Sequence, residues 1–254
     1  MSTEARAGKK ALRKDIKHRL SALSDGEVAQ QSSIAQTLIT SLPQYRDAKR
    51  ISVYLSMPTG EARTDAIVRD ALDGGKEVFV PYVYTTTALA VDADAAPKLR
   101  KGKGKVMEML RLTSVREYEA LERDSWGIPH LPADSVGGRE NAIGGLGTSL
   151  AGAGLDKAGS TLSGEDGGGL DLIVVPGVAF DAEMNRMGHG AGFYDAFLTR
   201  FGADASTRKK PFLVGLCLAE QVLPPGGIRM QEWDWRVDAV AVGDGRLLAL
   251  DGGT

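Results

Sequence analysis

Apolar residues recur at helical spacing in the first stretch of the chain, with Leu12, Ile16, Leu20 and Leu23 on one face. This period predicts a helix over about 9–23, and a similar one over 26–41 ends before Pro43. Residues 50–57 (Arg-Ile-Ser-Val-Tyr-Leu-Ser-Met) alternate as a strand does. A helix is predicted over 64–72, opened by Thr64 and stopped by Gly74 and Gly75. Residues 77–83 form the next strand, in which Pro81 implies an edge or a strand end. Residues 105–112 alternate apolar and polar, as a half-buried strand would. Strong apolar runs at 170–175, 212–218 and 237–242 complete the strands, and residues 196–201 read as a helix. Strands alternating with helices predict an α/β fold with a largely parallel sheet covered on both faces.

One stretch breaks the pattern. Twelve of the 33 residues from 137 to 169 are glycine, and the rest show no useful period. It is expected to be a disordered surface insertion within one fold, not a domain. A length of 254 residues suits one large α/β domain or two small ones, and 43% hydrophobic residues can fill a sizeable core. A single domain spanning 1–254 is expected.

Charge and cysteine usage narrow the function classes. A formal net charge of -2 argues against a nucleic-acid protein held by bulk electrostatics. The single cysteine, Cys217, lies in an apolar run and reads as a buried structural thiol. One cysteine supports neither an internal disulfide nor a Cys-based zinc site. His18, His130 and His189 are scattered, with no pair at metal-ligand spacing. No apolar stretch approaches the roughly 18 residues of a membrane span. A protein of a reducing compartment that binds small molecules, without nucleic acid or membrane, is the expectation.

Residues 1–20 carry seven Lys/Arg against two acids, so the first helix is basic and amphipathic. Three readings stand side by side: a mitochondrial transit peptide, a helix whose basic side faces a polyanion, and a solvated charged face.

The most informative segment is 185–195 (Asn-Arg-Met-Gly-His-Gly-Ala-Gly-Phe-Tyr-Asp), between the strand at 170–175 and the helix at 196–201. Glycine at every second position lets backbone N–H groups approach oxygen closely, and a helix N-terminus adds partial positive charge. Arg186 and His189 supply further donors, and Asp195 offers a hard oxygen for Mg²⁺. The spacing matches neither the dinucleotide fingerprint nor the P-loop. A plain glycine-rich surface turn is the bland alternative.

Four blocks, in order, resemble the 5-formyltetrahydrofolate cyclo-ligase (5,10-methenyltetrahydrofolate synthetase) family. They are residues 9–13 (Lys-Lys-Ala-Leu-Arg), 54–61 (Tyr-Leu-Ser-Met-Pro-Thr-Gly-Glu), 125–129 (Ser-Trp-Gly-Ile-Pro), and Pro176-Gly177 with 186–195 and the Val237-Asp238 pair. The similarity runs from about residue 9 to 242, apart from 137–169. It implies a mixed, mostly parallel sheet in a three-layer α/β domain. It also implies ATP as co-substrate, Mg²⁺ as cofactor, and cyclisation of 5-formyltetrahydrofolate to 5,10-methenyltetrahydrofolate. By that resemblance, Lys9, Lys10 and Arg13 meet ATP phosphates, with Lys9 and Arg13 on one helix face. Arg186, Met187, Gly188, His189, Gly190, Ala191, Gly192, Phe193 and Tyr194 form the ATP loop, with Arg186 offsetting developing charge as the catalytic cation. Asp195 and Asp238 are the Mg²⁺-associated aspartates. Glu61 accepts from the pterin ring, Leu55 and Met57 line its slot, Trp126 stacks on an aromatic part of folate, and Tyr194 touches substrate.

The loop departs from the most basic family versions. His189 stands where many members have arginine, Ala191 where they have lysine or glycine, and Phe193 replaces a frequent tyrosine. A monomer of the cytoplasm is expected, with a mitochondrial pool allowed by the basic N-terminus. A non-catalytic ATP or folate sensor, and a sugar-phosphate isomerase-like enzyme, are the competing readings.

Overall fold

The structure is a computed structural model that describes residues 3–86, 104–148, 169–202 and 209–250. Helix α1 (Thr3–Ser21) leads into α2 (Asp25–Ser41) and a short α3 (Pro43–Asp47). A capping box starts α2: the Ser24 hydroxyl accepts from the Glu27 N–H, and Glu27 accepts from the Ser24 N–H. Strand β1 (Arg50–Val53), helix α4 (Asp65–Asp73) and strand β2 (Glu77–Thr86) form a pair of parallel strands with their crossover. Gly75, at φ +75°, ends α4 while the Lys76 N–H reaches back to Ala71 O. Thr64 does sit before α4, but its hydroxyl donates to Tyr54 O instead of capping the helix.

Strand β3 (Gly104–Leu112) returns antiparallel to β2, followed by α5 (Val115–Ala120). Then come β4 (Leu172–Val175), β5 (Ala179–Asp181), β6 (Arg186–Met187) and α6 (Phe193–Gly202). Strands β7 (Phe212–Cys217), β8 (Val222–Leu223), β9 (Ala239–Val242) and β10 (Leu247–Ala249) close the chain. The main sheet has seven strands in the order β10-β9-β7-β4-β1-β2-β3, and β5, β6 and β8 form a small second sheet. Among the described strands of the main sheet, only the outermost pairs, β2 with β3 and β9 with β10, are antiparallel. The expected mixed, mostly parallel sheet is therefore present.

Side-chain alternation divides the core in two. Ile51, Val53, Leu172, Val174, Val214 and Leu216 pack with α1, α2 and α4 on one face. Ile173, Val175, Leu213 and Cys217 pack with Phe197, Leu198 and Phe201 of α6 and with Phe180 of the small sheet on the other. Burial on both faces explains why the central strands read as unbroken apolar runs. Phe180 approaches the sheet closely, because a Cβ on Gly215 would lie 2.5 Å from its ring. Gly215→Ala is expected to cost about 1–3 kcal/mol by overpacking; a thermal melt equal to wild type would show that the ring can move aside.

Three readings from the sequence need correcting. Residues 105–112 are not half-buried: Val106 to Leu110 are all buried, Glu108 included. Glu108 is reached by Asn141 Nδ2 at 2.6 Å and by Arg200 at 3.4 Å, which satisfies a carboxylate held inside the fold. The glycine-rich insertion also does not begin at 137. Residues 139–142 run along the outer side of β3, with Arg111 N–H on Glu140 O and Ala142 N–H on Met109 O. Asn141 and Ala142 are buried there, so this segment covers an edge that would otherwise be open. Residues 149–168, the rest of that expected insertion, lie outside the described residues. Pro81 lies inside β2, not at its end, but past the last β1-paired residue, Phe79, so no β1 partner is lost.

Candidate active site

The chain leaves β1 toward β2 and β3 on one side, then returns beside β1 as β4 and continues to β7 and β9 on the other. The order thus reverses between β1 and β4. In parallel sheets such a switch point opens a crevice at the carboxyl ends of the strands. Tyr54 and Leu55, just past β1, and Pro176, just past β4, line a cavity of about 1060 Å³ there. That exceeds the roughly 300–1,000 Å³ of a typical single-ligand site.

One wall is the glycine loop. It follows β6 of the small sheet, not β4 of the large one as the sequence suggested. Buried Asp181 braces the hairpin before it, accepting from the backbone N–H groups of Glu183, Asn185 and Ile228. Arg186 is thereby fixed beneath the cavity. Its Nη2 donates to Asp195 Oδ1 at 2.7 Å and its Nη1 to Pro176 O at 3.4 Å. Met187, Gly188, His189, Gly190, Ala191, Gly192, Phe193 and Tyr194 all line the cavity, and the N-terminus of α6 begins at Phe193. Gly190, at φ +105°, lies against the Arg13 guanidinium, where a Cβ would come within 3.5 Å. His189 stands at the open edge, and partial burial and then the Arg13 charge lower its pKa, so the imidazole is neutral at pH 7.

Helix α1 supplies the second wall. Arg13 Nε donates to Gly188 O at 2.8 Å, and Lys9 Nζ pairs with Asp234 at 2.8 Å. Burial lowers the Arg13 pKa, partly opposed by Asp234, yet the group stays charged. Lys10 points away: it is exposed and does not line the cavity, so it leaves the set of phosphate contacts.

The opposite end is apolar around one carboxylate. Leu55, Met57, Tyr82 and Ile128 line the cavity with Glu61, whose Oε2 accepts from the Met57 N–H at 3.0 Å. Burial raises the Glu61 pKa to about 7, and only the Met57 N–H pulls it down. Trp126 lines the same end with 72% of its surface exposed. Between the two ends, Tyr194 Oη and Arg186 Nε are buried without hydrogen-bond partners. Such orphans cost roughly 1–3 kcal/mol each, and here both sit on cavity-lining residues where an oxygen-bearing ligand satisfies them.

Asp238 does not join this site. It lies at the amino end of β9, where Oδ2 accepts from the Leu213 N–H at 2.8 Å and Oδ1 from Lys210 at 3.1 Å. In a parallel array that end is a strand length from the crevice, so its role as a Mg²⁺ aspartate is withdrawn. The carboxylate that reaches the cavity instead is Asp234, four residues earlier. Sequence reasoning missed it; the signal was an acid between Trp233 and Trp235 just before a strand. Asp234 and Asp195 are drawn together because the Trp235 N–H donates to Asp195 Oδ1 at 3.1 Å.

The fold and this cavity define an α/β protein that holds an anion-binding wall and an apolar, carboxylate-bearing slot side by side. A family model, the 5-formyltetrahydrofolate cyclo-ligase family, matches residues 5–243. The mouse 5-formyltetrahydrofolate cyclo-ligase is 34% identical over 94% of this chain and 95% of its own length. The protein of that name from Saccharomyces cerevisiae is 30% identical over 95% of this chain and 98% of its own. The Aquifex aeolicus 5,10-methenyltetrahydrofolate synthetase structure shares the fold, with a TM-score of 0.60 at 24% identity over 97% of this chain and 94% of that one. The chain belongs to the 5-formyltetrahydrofolate cyclo-ligase family of enzymes.

Proposed function

We propose that the protein converts 5-formyltetrahydrofolate and ATP into 5,10-methenyltetrahydrofolate, ADP and phosphate. The observation that carries this reading is the single cavity in which the Glu61 slot and the Lys9, Arg13 and Arg186 wall face each other. A formyl oxygen is a poor leaving group. Its attack on the γ-phosphorus of ATP expels ADP and leaves an iminium phosphate. Folate N10 then attacks the formyl carbon, closing the five-membered ring; N10 gives up its proton and the C–O bond breaks, so phosphate departs carrying the former formyl oxygen and that proton. The protein aligns the formyl oxygen with ATP and balances charge in transit. Glu61 accepts from the pterin N–H groups, Leu55, Met57 and Trp126 hold the rings, and Tyr194 Oη donates to substrate oxygen. Lys9, Arg13, the loop N–H groups and Arg186 hold the phosphates.

Mg²⁺ fits this donor set through phosphate-assisted binding. Among the described residues no three His, Cys, Asp or Glu side chains come together, so a cage built wholly from protein is excluded. Mg²⁺ ordinarily takes one or two carboxylates with substrate phosphates and water. Asp195 and Asp234 supply those carboxylates, and the ion's chemistry is neutralisation of phosphate charge. We take the protein to act as a monomer. Because α1 builds part of the site, its basic face serves ligand binding, and we place the activity in the cytoplasm, with a mitochondrial pool as a second location.

The test is the absorbance of the methenyl product after mixing protein, Mg²⁺-ATP and 5-formyltetrahydrofolate. An ATP-dependent rise supports the reading; ligand binding without a rise would make the chain a sensor. His189 yields a separate expectation. Because its pKa is lowered, protonation adds charge to the loop only as the pH falls, so ATP affinity should climb on acidification. In His189→Arg it should be tighter and flat across pH 5.5–8 (a range spanning roughly the imidazole titration). An unchanged pH slope in that variant would remove His189 from the phosphate contacts.

A further inference from the structure

An indole with 72% of its surface exposed is unusual, and Trp126 carries it on a loop that braces itself. Asp124 Oδ1 accepts from the backbone N–H groups of Trp126 at 2.8 Å and Ile128 at 3.0 Å. The Asp124 N–H reaches Ile128 O and the Gly127 N–H reaches Asp124 O, both at 2.9 Å. Arg123 Nη1 closes the turn on Gly127 O at 2.7 Å. Gly127 has φ +78°, and a Cβ there would lie 2.8 Å from Pro58 Cγ. Pro58 follows Met57, whose N–H holds Glu61. The turn is therefore rigid in itself and seated directly on the loop that carries the slot's carboxylate.

We infer that Asp124 and Gly127 are positioning residues which hold Trp126 as a preformed stacking face for the aromatic part of the folate. The inference rests on the proposed reaction, because that reaction places a folate in the cavity. A turn fixed before binding sets the direction in which the indole leaves the backbone, so only the side-chain torsions remain to be ordered when a ring stacks on it. Without the Asp124 bonds the backbone that carries the indole would have to be ordered as well. Gly127 adds the second constraint: a side chain there meets Pro58 and a backbone conformation that suits glycine.

The experiment is steady-state kinetics with both substrates, run as a double-mutant cycle. Asp124→Ala should raise the KM for 5-formyltetrahydrofolate roughly three- to tenfold, the range of one aromatic contact. Its kcat and its KM for ATP should stay at wild-type values. Asp124→Asn, which keeps the accepting oxygen, should restore the KM. In a Trp126→Ala background Asp124→Ala should add nothing, since the residue acts only through the indole. Gly127→Ala should repeat the folate-specific effect and gives a second route should Asp124→Ala fold poorly. Additive effects of Asp124→Ala and Trp126→Ala, or equal shifts in both KM values, would overturn the inference. So would Gly127→Ala and Asp124→Ala with wild-type folate KM. A wild-type protein without turnover is a different result, since it removes the proposed reaction itself.

Discussion

Arg186→Ala is expected to lower kcat by about 10²–10³, the usual loss when a preorganised donor to developing charge is removed. The side chain is only 4% exposed and is held at both ends, by Asp195 and by Pro176 O. Its Nε lacks a partner, so the guanidinium is left with unused donors for a phosphoryl oxygen. The same change should weaken ATP binding, because in the proposed reaction the guanidinium would meet the phosphates before the transfer as well as during it. Arg186→Lys keeps the charge but cannot span Asp195 and Pro176 O together, so it should recover only part of the rate. Calorimetric ATP titration and product absorbance measure the two effects. Wild-type ATP affinity with turnover within tenfold would take the role away from Arg186.

The second large effect concerns Glu61 and pH. Burial raises its pKa from 4.5 to about 7, so the folded protein prefers the neutral acid. The sign follows directly. The unfolded chain ionises near pH 4.5 and the folded one near 7, so stability due to this group is full below 4.5. It falls as pH rises toward 7, by about 3 kcal/mol in total. Glu61→Gln keeps an oxygen for the Met57 N–H but cannot ionise. It should therefore be more stable than wild type at pH 8, with the gap closing near pH 4.5. Folate binding should show the opposite preference, since the ionised carboxylate is the better acceptor for pterin N–H groups. Wild-type folate affinity is expected to increase as pH rises through about 7, and Glu61→Gln to bind weakly without that step. Melting curves and folate titrations at pH 5 and 8 (roughly either side of the titration) check both halves. Equal stability of the two proteins at pH 8 would mean that Glu61 ionises freely in the fold.

Such a carboxylate makes the cost of the site visible. An apolar slot favours ring binding, yet it penalises the charge that recognises the ring's donors. Tyr194 lies in the same field: burial first, then Glu61, raises its pKa, so its hydroxyl stays a donor at every working pH.

Much of the fold was legible because it depends on local spacing. Leu12, Ile16 and Leu20 mark the inward side of α1, and Ile16 and Leu20 are buried there. The apolar runs at β4, β7 and β9 declared strands covered on both faces. Glu108 shows where period alone misleads: an acid in an alternating strand looks solvent-facing, but residues 139–142 and Arg200 close over it. The candidate site was legible only as a collection. Lys9, Arg13, Leu55, Met57, Glu61, Trp126 and residues 186–195 do meet in one cavity. Lys10 and Asp238 do not, and Asp234 takes a place that no spacing rule gave it.

The sequence by itself determined four of the helices and six of the seven main-sheet strands, the two faces of the central strands, the glycine turn before a helix and the order of the four motifs. All of these follow from residues a few positions apart, through helical and strand periods and glycine's backbone freedom. Tertiary structure decided which end of each strand opens on the cavity, and so placed Asp234 in its lining and Asp238 away from it. It also decided that Arg186 pairs with Asp195, that Arg13 seats the loop through Gly188, and that Glu61 is buried deeply enough to hold its proton near neutrality. Those outcomes depend on strand direction and on contacts between residues far apart in the chain. Burial and charge at a point in space are sums over such neighbours, and no local pattern carries them.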